Sequence, residues 1–239
     1  MGYADQEPND PLPYGAAFYV DEKTRRGRLM PALILSIPMI IAFAAMLYFK
    51  GSMNSWAVSG PRLANGDYEL ILLHMFAHGG IAHIAFNTMA LFVFGPAVME
   101  RLGPFDARSL SGFVVLFVAC GIAGFGFWFA LNPTSEIPML GASGAVFGLL
   151  GFVMRKPDPA GPVIPLFSRA MGQAFIEWIK LHIPLIALFA IPMLLGSGFF
   201  GLAWEAHLGG FLCGLLLCGP ILKWCDRGPD WMPYEREES

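Results

Sequence analysis

Ser143 is the residue in this sequence best suited to act as a nucleophile. It lies in the run Gly141-Ala142-Ser143-Gly144, whose members carry too little side chain to block access to its hydroxyl. A serine hydroxyl becomes an effective nucleophile only when a base removes its proton. The same run would also suit a face on which small residues let two helices pack closely. The pattern therefore predicts either acyl-transfer chemistry or helix packing, and other residues must decide between them.

His207 is the candidate base. Both residues are followed by two glycines at helical spacing, which are Gly144 and Gly148 after Ser143, and Gly210 and Gly214 after His207. Small residues four apart let two helices approach closely, and a serine and a histidine need such an approach to form a hydrogen bond. The alternative is that His207 bonds only a backbone carbonyl. Because no aspartate lies where it could orient His207, we expect a Ser–His dyad rather than a triad.

His83 and Asn87 could stabilise the negative charge that develops during acyl transfer. They lie four residues apart, on one face of a predicted helix, and both side chains can donate hydrogen bonds. With backbone N–H groups at Ala142 and Ser143, at a helix N-terminus that favours negative charge, they would form an oxyanion site. The alternative is that the two side chains only hold helices together. His78, five residues before His83, is expected near the same opening.

A metal site is the competing interpretation of the histidines. His74, His78 and His83 could be zinc ligands, but the sequence lacks the glutamate that stands between the paired histidines of HExxH proteases. The spacing of the four cysteines, Cys120, Cys213, Cys218 and Cys225, also matches no zinc pattern. We therefore expect neither a metal nor another cofactor.

The composition places this chemistry in a membrane. The chain has 239 residues, of which 56% are hydrophobic and only 14% are charged, whereas soluble domains carry about 25% charged residues. The net charge of -3 and the absence of a basic patch argue against a nucleic-acid partner. A channel or transporter would carry charged residues along a central path, and the apolar segments have none outside the histidine cluster. We therefore predict an all-α membrane protein.

Six apolar segments are predicted to form a bundle at residues 29–223, between tails at residues 1–28 and 224–239. The segments are Leu29–Phe49, Ile71–Phe94, Ser111–Leu131, Ser143–Met154, Leu181–Gly201 and His207–Leu222. The fourth is only roughly 18 Å long, against a hydrocarbon core of roughly 30 Å. Ser143 would then lie below the membrane surface, after a loop that protein must cover or that lines a water-filled cavity. An interfacial helix is also predicted around Met171–Trp178.

The distribution of basic residues predicts the orientation. With six spans both termini lie on one side, and that side holds every lysine and arginine except Lys50 and Arg62. Basic residues concentrate in cytoplasmic loops. We therefore expect both termini in the cytoplasm and Ser143 opening towards the outside, most simply in a bacterial plasma membrane. The long external connection, Gly51–Leu70, is expected at the membrane surface.

Three motifs, in this order, resemble those of the rhomboid intramembrane serine proteases. The second segment carries His78-Gly-Gly-Ile-Ala-His83-Ile-Ala-Phe-Asn87, which matches the family's HxxxxHxxxN pattern. The GxSG pattern lies at Gly141–Gly144, and HxxGxxxG lies at His207–Gly214. Glu100-Arg101-Leu102-Gly103 resembles the turn after the family's second helix, and the likeness covers residues 71–220. One departure is Tyr68-Glu69, near which the family's first loop often carries a Trp-Arg pair.

The resemblance implies a six-helix rhomboid-like bundle with a short fourth helix that starts at Ser143. It implies that Ser143 is the nucleophile and His207 the base, that His83 and Asn87 bind the oxyanion, and that the substrates are transmembrane segments of other proteins. The supporting residues would be His78, Gly141, Gly144, Gly210 and Gly214. The alternative is a catalytically silent rhomboid-like protein that binds transmembrane helices. The presence of both Ser143 and His207 favours the protease.

Overall fold

The computed structural model describes residues 22–49, 53–177, 179–180 and 203–226. Its helices are α1 (Glu22–Tyr48), α2 (Gly60–Ala64), α3 (Leu70–Leu73), α4 (Ile81–Leu102), α5 (Ala107–Leu131), α6 (Ser143–Arg155), α7 (residues 169–177) and α8 (Trp204–Cys225). Within these residues, extended pairing is limited to one bridge between Val58 and Met139. The prediction of an all-α protein is therefore confirmed for this part of the chain. Of the interfacial helix predicted around Met171–Trp178, residues 171–177 are helical and belong to α7, Trp178 lies outside the described residues, and the interfacial position stays a prediction.

Among the residues that the structure describes, four helices are long and apolar enough to cross a membrane. Their apolar stretches are Arg26–Tyr48, Ile81–Leu102, Ala107–Leu131 and Trp204–Cys225, and the shorter Ser143–Arg155 is also apolar. The predicted fifth segment, Leu181–Gly201, lies outside the described residues. The count of six spans therefore stays a prediction.

The short helix α6 lies inside the bundle, in contact with α4, α5 and α8. Most of its residues are buried, and Leu149 and Phe152 have no exposed surface. A helix that is apolar on all sides is typical of a core position. Its 13 residues span roughly 20 Å, less than the roughly 30 Å of a hydrocarbon core. One end of α6 must therefore lie within the bundle rather than at a membrane surface.

Glycines bring the backbones of α6 and α8 into direct contact. The contacting pairs are Gly144 with Gly210 and Gly148 with Gly214. In each pair, a methyl group on the α8 glycine would collide with the carbonyl group of the α6 glycine. The residue numbers of the contacting glycines increase in the same direction in both helices, so α6 and α8 run parallel. Ser143 and His207 consequently lie at the same end of the bundle.

Three helices begin earlier than predicted, because hydropathy detects their apolar stretches and misses a polar first turn. α1 begins at Glu22 and α8 at Trp204. α5 begins at Ala107, where the carboxylate of Asp106 accepts a hydrogen bond from the Ser109 N–H at 2.9 Å. A side-chain acceptor at this position satisfies one of the N–H groups that the first turn of a helix leaves unpaired.

The prediction of one helix over Ile71–Phe94 is wrong. The start of this segment forms α3 and a 3-10 turn at His74–Phe76, the chain is non-helical at residues 77–80, and α4 then runs from Ile81 to Leu102. Glycine is a poor helix former, so Gly79 and Gly80 account for the interruption. His78 therefore lies in the break itself, and His83 lies in the first turn of α4.

The connection between α1 and α4 folds onto the loop that precedes α6. Val58 and Met139 exchange two backbone hydrogen bonds of 2.9 and 2.8 Å. Arg62 holds the turn before this bridge, because its guanidinium donates to the carbonyl of Ala57 at 3.2 Å and forms an ion pair of 2.9 Å with Asp67. Residues 57–67 of this connection therefore support the loop that leads to Ser143.

Candidate active site

Ser143 and His207 meet where α6 and α8 begin. The distance between Ser143 Oγ and His207 Nε2 is 2.8 Å, although the two residues are 64 positions apart in the sequence. Both side chains are partly exposed, so a second molecule can reach them. A serine hydroxyl that donates to an imidazole nitrogen is arranged for general-base activation.

The imidazole of His207 is oriented by an aromatic ring. Phe147 stacks on it with ring centroids 4.3 Å apart and planes 4° from parallel. Among the described residues no carboxylate is hydrogen-bonded to His207, and the nearby Glu205 accepts instead from Asn132 Nδ2 at 3.3 Å. Sequence reasoning missed Phe147, although its position four residues after Ser143 places both on one face of α6.

The backbone that leads to Ser143 passes directly beside His83. Gly141 has φ +117°, in the region that favours glycine, and a methyl group on it would lie 2.6 Å from His83 Nε2. His83 Nδ1 accepts a hydrogen bond from the Gly79 N–H at 3.4 Å. A neutral imidazole that accepts at Nδ1 carries its proton on Nε2. His83 therefore presents an N–H donor to the space next to Gly141.

Asn87 points towards the same space from the next turn of α4. Its side chain is buried, and its Nδ2 donates to the carbonyl of His83 at 3.1 Å. The same nitrogen lies 3.9 Å from the position that a Cβ on Gly141 would occupy. Because an amide nitrogen carries two protons, one remains for a second acceptor. The structure thus brings His83 and Asn87 together beside the residues that precede Ser143.

His74 and His78 lie behind this space rather than in it. Both side chains are buried, and the Nδ1 atoms are hydrogen-bonded to the carbonyls of Leu70 at 3.0 Å and Phe76 at 3.3 Å. The ring of His78 meets the ring of His83 edge-on, with centroids 5.1 Å apart. In the described ranges, no three His, Cys, Asp or Glu side chains are grouped as metal ligands would be.

Backbone hydrogen bonds hold the loop before Ser143 on two sides. The N–H of Gly141 donates to the carbonyl of His74 at 2.8 Å, and Met139 is paired with Val58. Sequence reasoning missed both anchors, because a backbone-to-backbone bond between distant loops leaves no side-chain pattern. The loop is therefore fixed before a substrate arrives.

An apolar cavity of about 220 Å³ opens beside His207. Its lining comes from α6, α7 and α8, and comprises Phe147, Leu150, Phe175, His207, Leu208 and Phe211. His207 therefore lies between the hydroxyl of Ser143 and an apolar space.

Residues 65–224 match the family model described as Rhomboid domain. The chain belongs to the rhomboid family. The match includes all four residues at the centre of the site, which are His83, Asn87, Ser143 and His207. With its long apolar helices, this rhomboid is a multi-pass integral membrane protein.

Curated relatives of this rhomboid include proteins named as proteases. It is 33% identical to "Rhomboid protease GluP" of Bacillus subtilis (strain 168) over 77% of this chain and 34% of that protein. It is 30% identical to "Putative rhomboid protease YdcA" of the same organism over 76% of this chain and 85% of that protein. The human "Presenilin-associated rhomboid-like protein, mitochondrial" is 31% identical over 66% of this chain and 40% of that protein. The chain therefore spans less than half of GluP and of the mitochondrial relative.

Proposed function

We propose that this rhomboid is an active serine endopeptidase that cleaves peptide bonds in or near transmembrane segments of other membrane proteins. The observation that carries the proposal is the 2.8 Å approach of Ser143 Oγ to His207 Nε2 at the start of α6 and α8. The names of the relatives GluP and YdcA, a rhomboid protease and a putative one, support the same reaction class.

The proposed reaction has two halves. In the first, His207 takes the proton of Ser143 while Oγ attacks the scissile carbonyl carbon, and the same proton then passes to the amine that leaves as the C–N bond breaks. In the second, a water molecule gives a proton to His207 and attacks the acyl ester, and the proton returns to Oγ as the new carboxyl group departs. The cycle consumes one water molecule and requires no metal or other cofactor.

The oxyanion of the tetrahedral intermediate is assigned to the space beside Gly141. The proposed donors are the Nε2–H of His83, the second amide proton of Asn87 and the backbone N–H groups at Ala142 and Ser143. Donors that are fixed where charge develops stabilise the transition state without the cost of reorienting during the reaction. The positive end of the α6 dipole adds to the same effect.

The supporting residues are assigned roles by what they touch. His78 supports the ring of His83 from behind, and Gly141 lets the backbone pass beside that ring. The small residues Gly144, Gly210 and Gly214 let α6 and α8 approach closely enough for Ser143 to reach His207.

The proposed arrangement in the membrane has six spans, with the fifth at Leu181–Gly201. Residues 29–223 form the protease domain between tails at residues 1–28 and 224–239, and both termini are cytoplasmic. The bacterial relatives support a bacterial plasma membrane, and the substrates are transmembrane proteins in the same bilayer. Ser143 begins a helix too short to span the bilayer and would therefore lie below the membrane surface. This position favours transmembrane substrates over soluble proteins.

The proposal is tested with purified, detergent-solubilised full-length chain and a generic substrate that has one transmembrane helix. Mass spectrometry of the products should locate one or a few cuts in or near the helix. The Ser143→Ala protein, prepared in parallel, should give none. Binding of the substrate without any cut by the wild-type protein would instead support a catalytically silent, helix-binding rhomboid.

A further inference from the structure

Arg155, the last residue of α6, reaches across the bundle to α8. Its Nη1 donates to the carbonyl oxygen of Leu215 at 2.6 Å and lies 3.5 Å from that of Leu216. Its Nε also donates to the carbonyl of Ile164, at 3.3 Å, in the connection that follows α6. The opposite end of α6 is the end that carries Ser143, so α6 contacts α8 through polar groups at both ends.

A proline explains why the second of these carbonyls, that of Leu216, is open to Arg155. In an α-helix the carbonyl of Leu216 would accept from the N–H of residue 220, and Pro220 has no N–H. The side chain of Leu216 is 59% exposed, so this part of α8 faces out of the bundle. A carbonyl without a partner at such a place in a membrane helix is destabilising. The guanidinium of Arg155 lies within reach of this carbonyl, and its shorter bond goes to the neighbouring carbonyl of Leu215.

The closest backbone contacts of α6 with α8 lie at glycines, and Phe147 stacks on His207 at the end that carries Ser143. Arg155 adds a directional bond between the ends remote from Ser143 and His207. Such a bond restrains the position of α6 along the axis of α8. This position determines the distance between the hydroxyl of Ser143 and the imidazole of His207.

We propose that Arg155 is a positioning residue for the Ser143–His207 pair, acting through the α6–α8 contact. The inference rests on the proposed protease function. Misplacing reacting groups by about 1 Å can lower a rate by about 100-fold, even when the substitution is far from the chemistry. Loss of Arg155 should therefore slow the reaction of Ser143 itself, with substrate binding largely retained.

The test compares purified full-length variants at a temperature at which each is folded by its melting curve. Two rates are measured, cleavage of a single-span substrate and labelling of Ser143 by a fluorophosphonate. We expect Arg155→Met to lower kcat and the labelling rate by about tenfold or more, with KM changed by no more than about twofold. Arg155→Lys can still donate to the carbonyl of Leu215 and should keep most of both rates. If Arg155→Met does not fold, Arg155→Gln, which is too short to bridge to α8 in the same way, carries the same prediction.

The matched control is Lys223→Met, which removes a positive charge from an exposed side chain at the same end of the bundle. It should change neither rate. A fall in both rates for Lys223→Met equal to that for Arg155→Met would overturn the proposal, because charge alone would then explain the effect.

A second substitution distinguishes a positioning role of Arg155 from a role in which Arg155 only supplies a hydrogen-bond donor to an unpaired carbonyl. Pro220→Ala gives the carbonyl of Leu216 its helical N–H partner again, but it does not tie α8 to α6. Added to Arg155→Met, it should raise the melting temperature and leave kcat and labelling low. Recovery of both rates would overturn the proposal, as would unchanged rates in Arg155→Met alone. Failure of the wild-type protein to label or cut would refute the protease function itself, and the positioning role with it.

Discussion

The backbone just before α4 favours one tautomer of His83, and this tautomer determines which donor His83 presents. Because Nδ1 accepts from the Gly79 N–H, the proton lies on Nε2, beside Gly141. The neighbouring Asn87 has one amide proton engaged by the carbonyl of His83 and one to offer. At the scale of single residues, the proposed site therefore has a nucleophile with its base on one side and two donors on the other.

Asn87→Ala tests the role of the second donor. Removing one oxyanion donor typically lowers kcat by about 10²–10³, and KM should change little because the bond forms mainly in the transition state. The loss should be incomplete, since His83 and the backbone amides remain. Both kcat and the melting temperature are measured on the same preparation.

The control for this substitution is Asn65→Ala, an identical change at an exposed position, which should leave kcat unaltered. A collapse of the melting temperature in Asn87→Ala, with normal kcat per folded molecule, would show that Asn87 holds helices together rather than binding the oxyanion.

At the scale of helices, the close contact of α6 and α8 is what makes the Ser–His pair possible. The contact has room for hydrogen atoms only, since a methyl group at Gly210 or Gly214 would meet a carbonyl of α6. Contacts of this kind depend on small residues because neighbouring backbones must approach closely. Substitutions in the contact should therefore affect stability and activity together.

Gly214→Ala tests this contact. The added methyl group must push α8 away from Gly148, and overpacking of this kind costs about 1 to 3 kcal/mol. We expect a lower melting temperature and a slower labelling of Ser143 by a fluorophosphonate. The matched control is Gly219→Ala in the same helix, where a methyl group would meet no described atom within 4 Å. An equal fall in melting temperature and labelling for Gly219→Ala would show that the contact is not responsible, because replacing glycine by alanine raises helix propensity.

Patterns of side chains predicted part of this architecture. The start of α6 at Ser143 could be predicted because a short apolar run follows a glycine-rich turn, and the spacing of Gly210 and Gly214 indicated a close helix contact. The break before α4 was missed, since the run from Ile71 is apolar enough to mask the effect of Gly79 and Gly80. The hydrogen bonds from Arg155 to α8 could not be predicted, because a charged residue at the end of an apolar segment is equally expected at a membrane interface.

At the scale of the whole molecule, the position of the basic residues predicts the orientation. All but Lys50 and Arg62 of the 15 basic residues lie on the predicted side of the termini, and basic residues favour the cytoplasmic side. Reporter fusions should therefore show the C-terminus, after Ser239, in the cytoplasm. A reporter inserted near Asn54 should be external. The opposite pattern would reverse the orientation and, with it, the side on which the site opens.

The most direct test of the dyad is a comparison of four proteins, reconstituted in liposomes with a single-span substrate. They are the wild type, Ser143→Ala, His207→Ala and the double variant. Because residues that act as a unit lose their effect together, each single variant should lose cleavage almost completely while keeping its melting temperature. The double variant should be little worse than either. Substantial cleavage by folded His207→Ala would contradict the account, because Ser143 would then be activated by something other than His207.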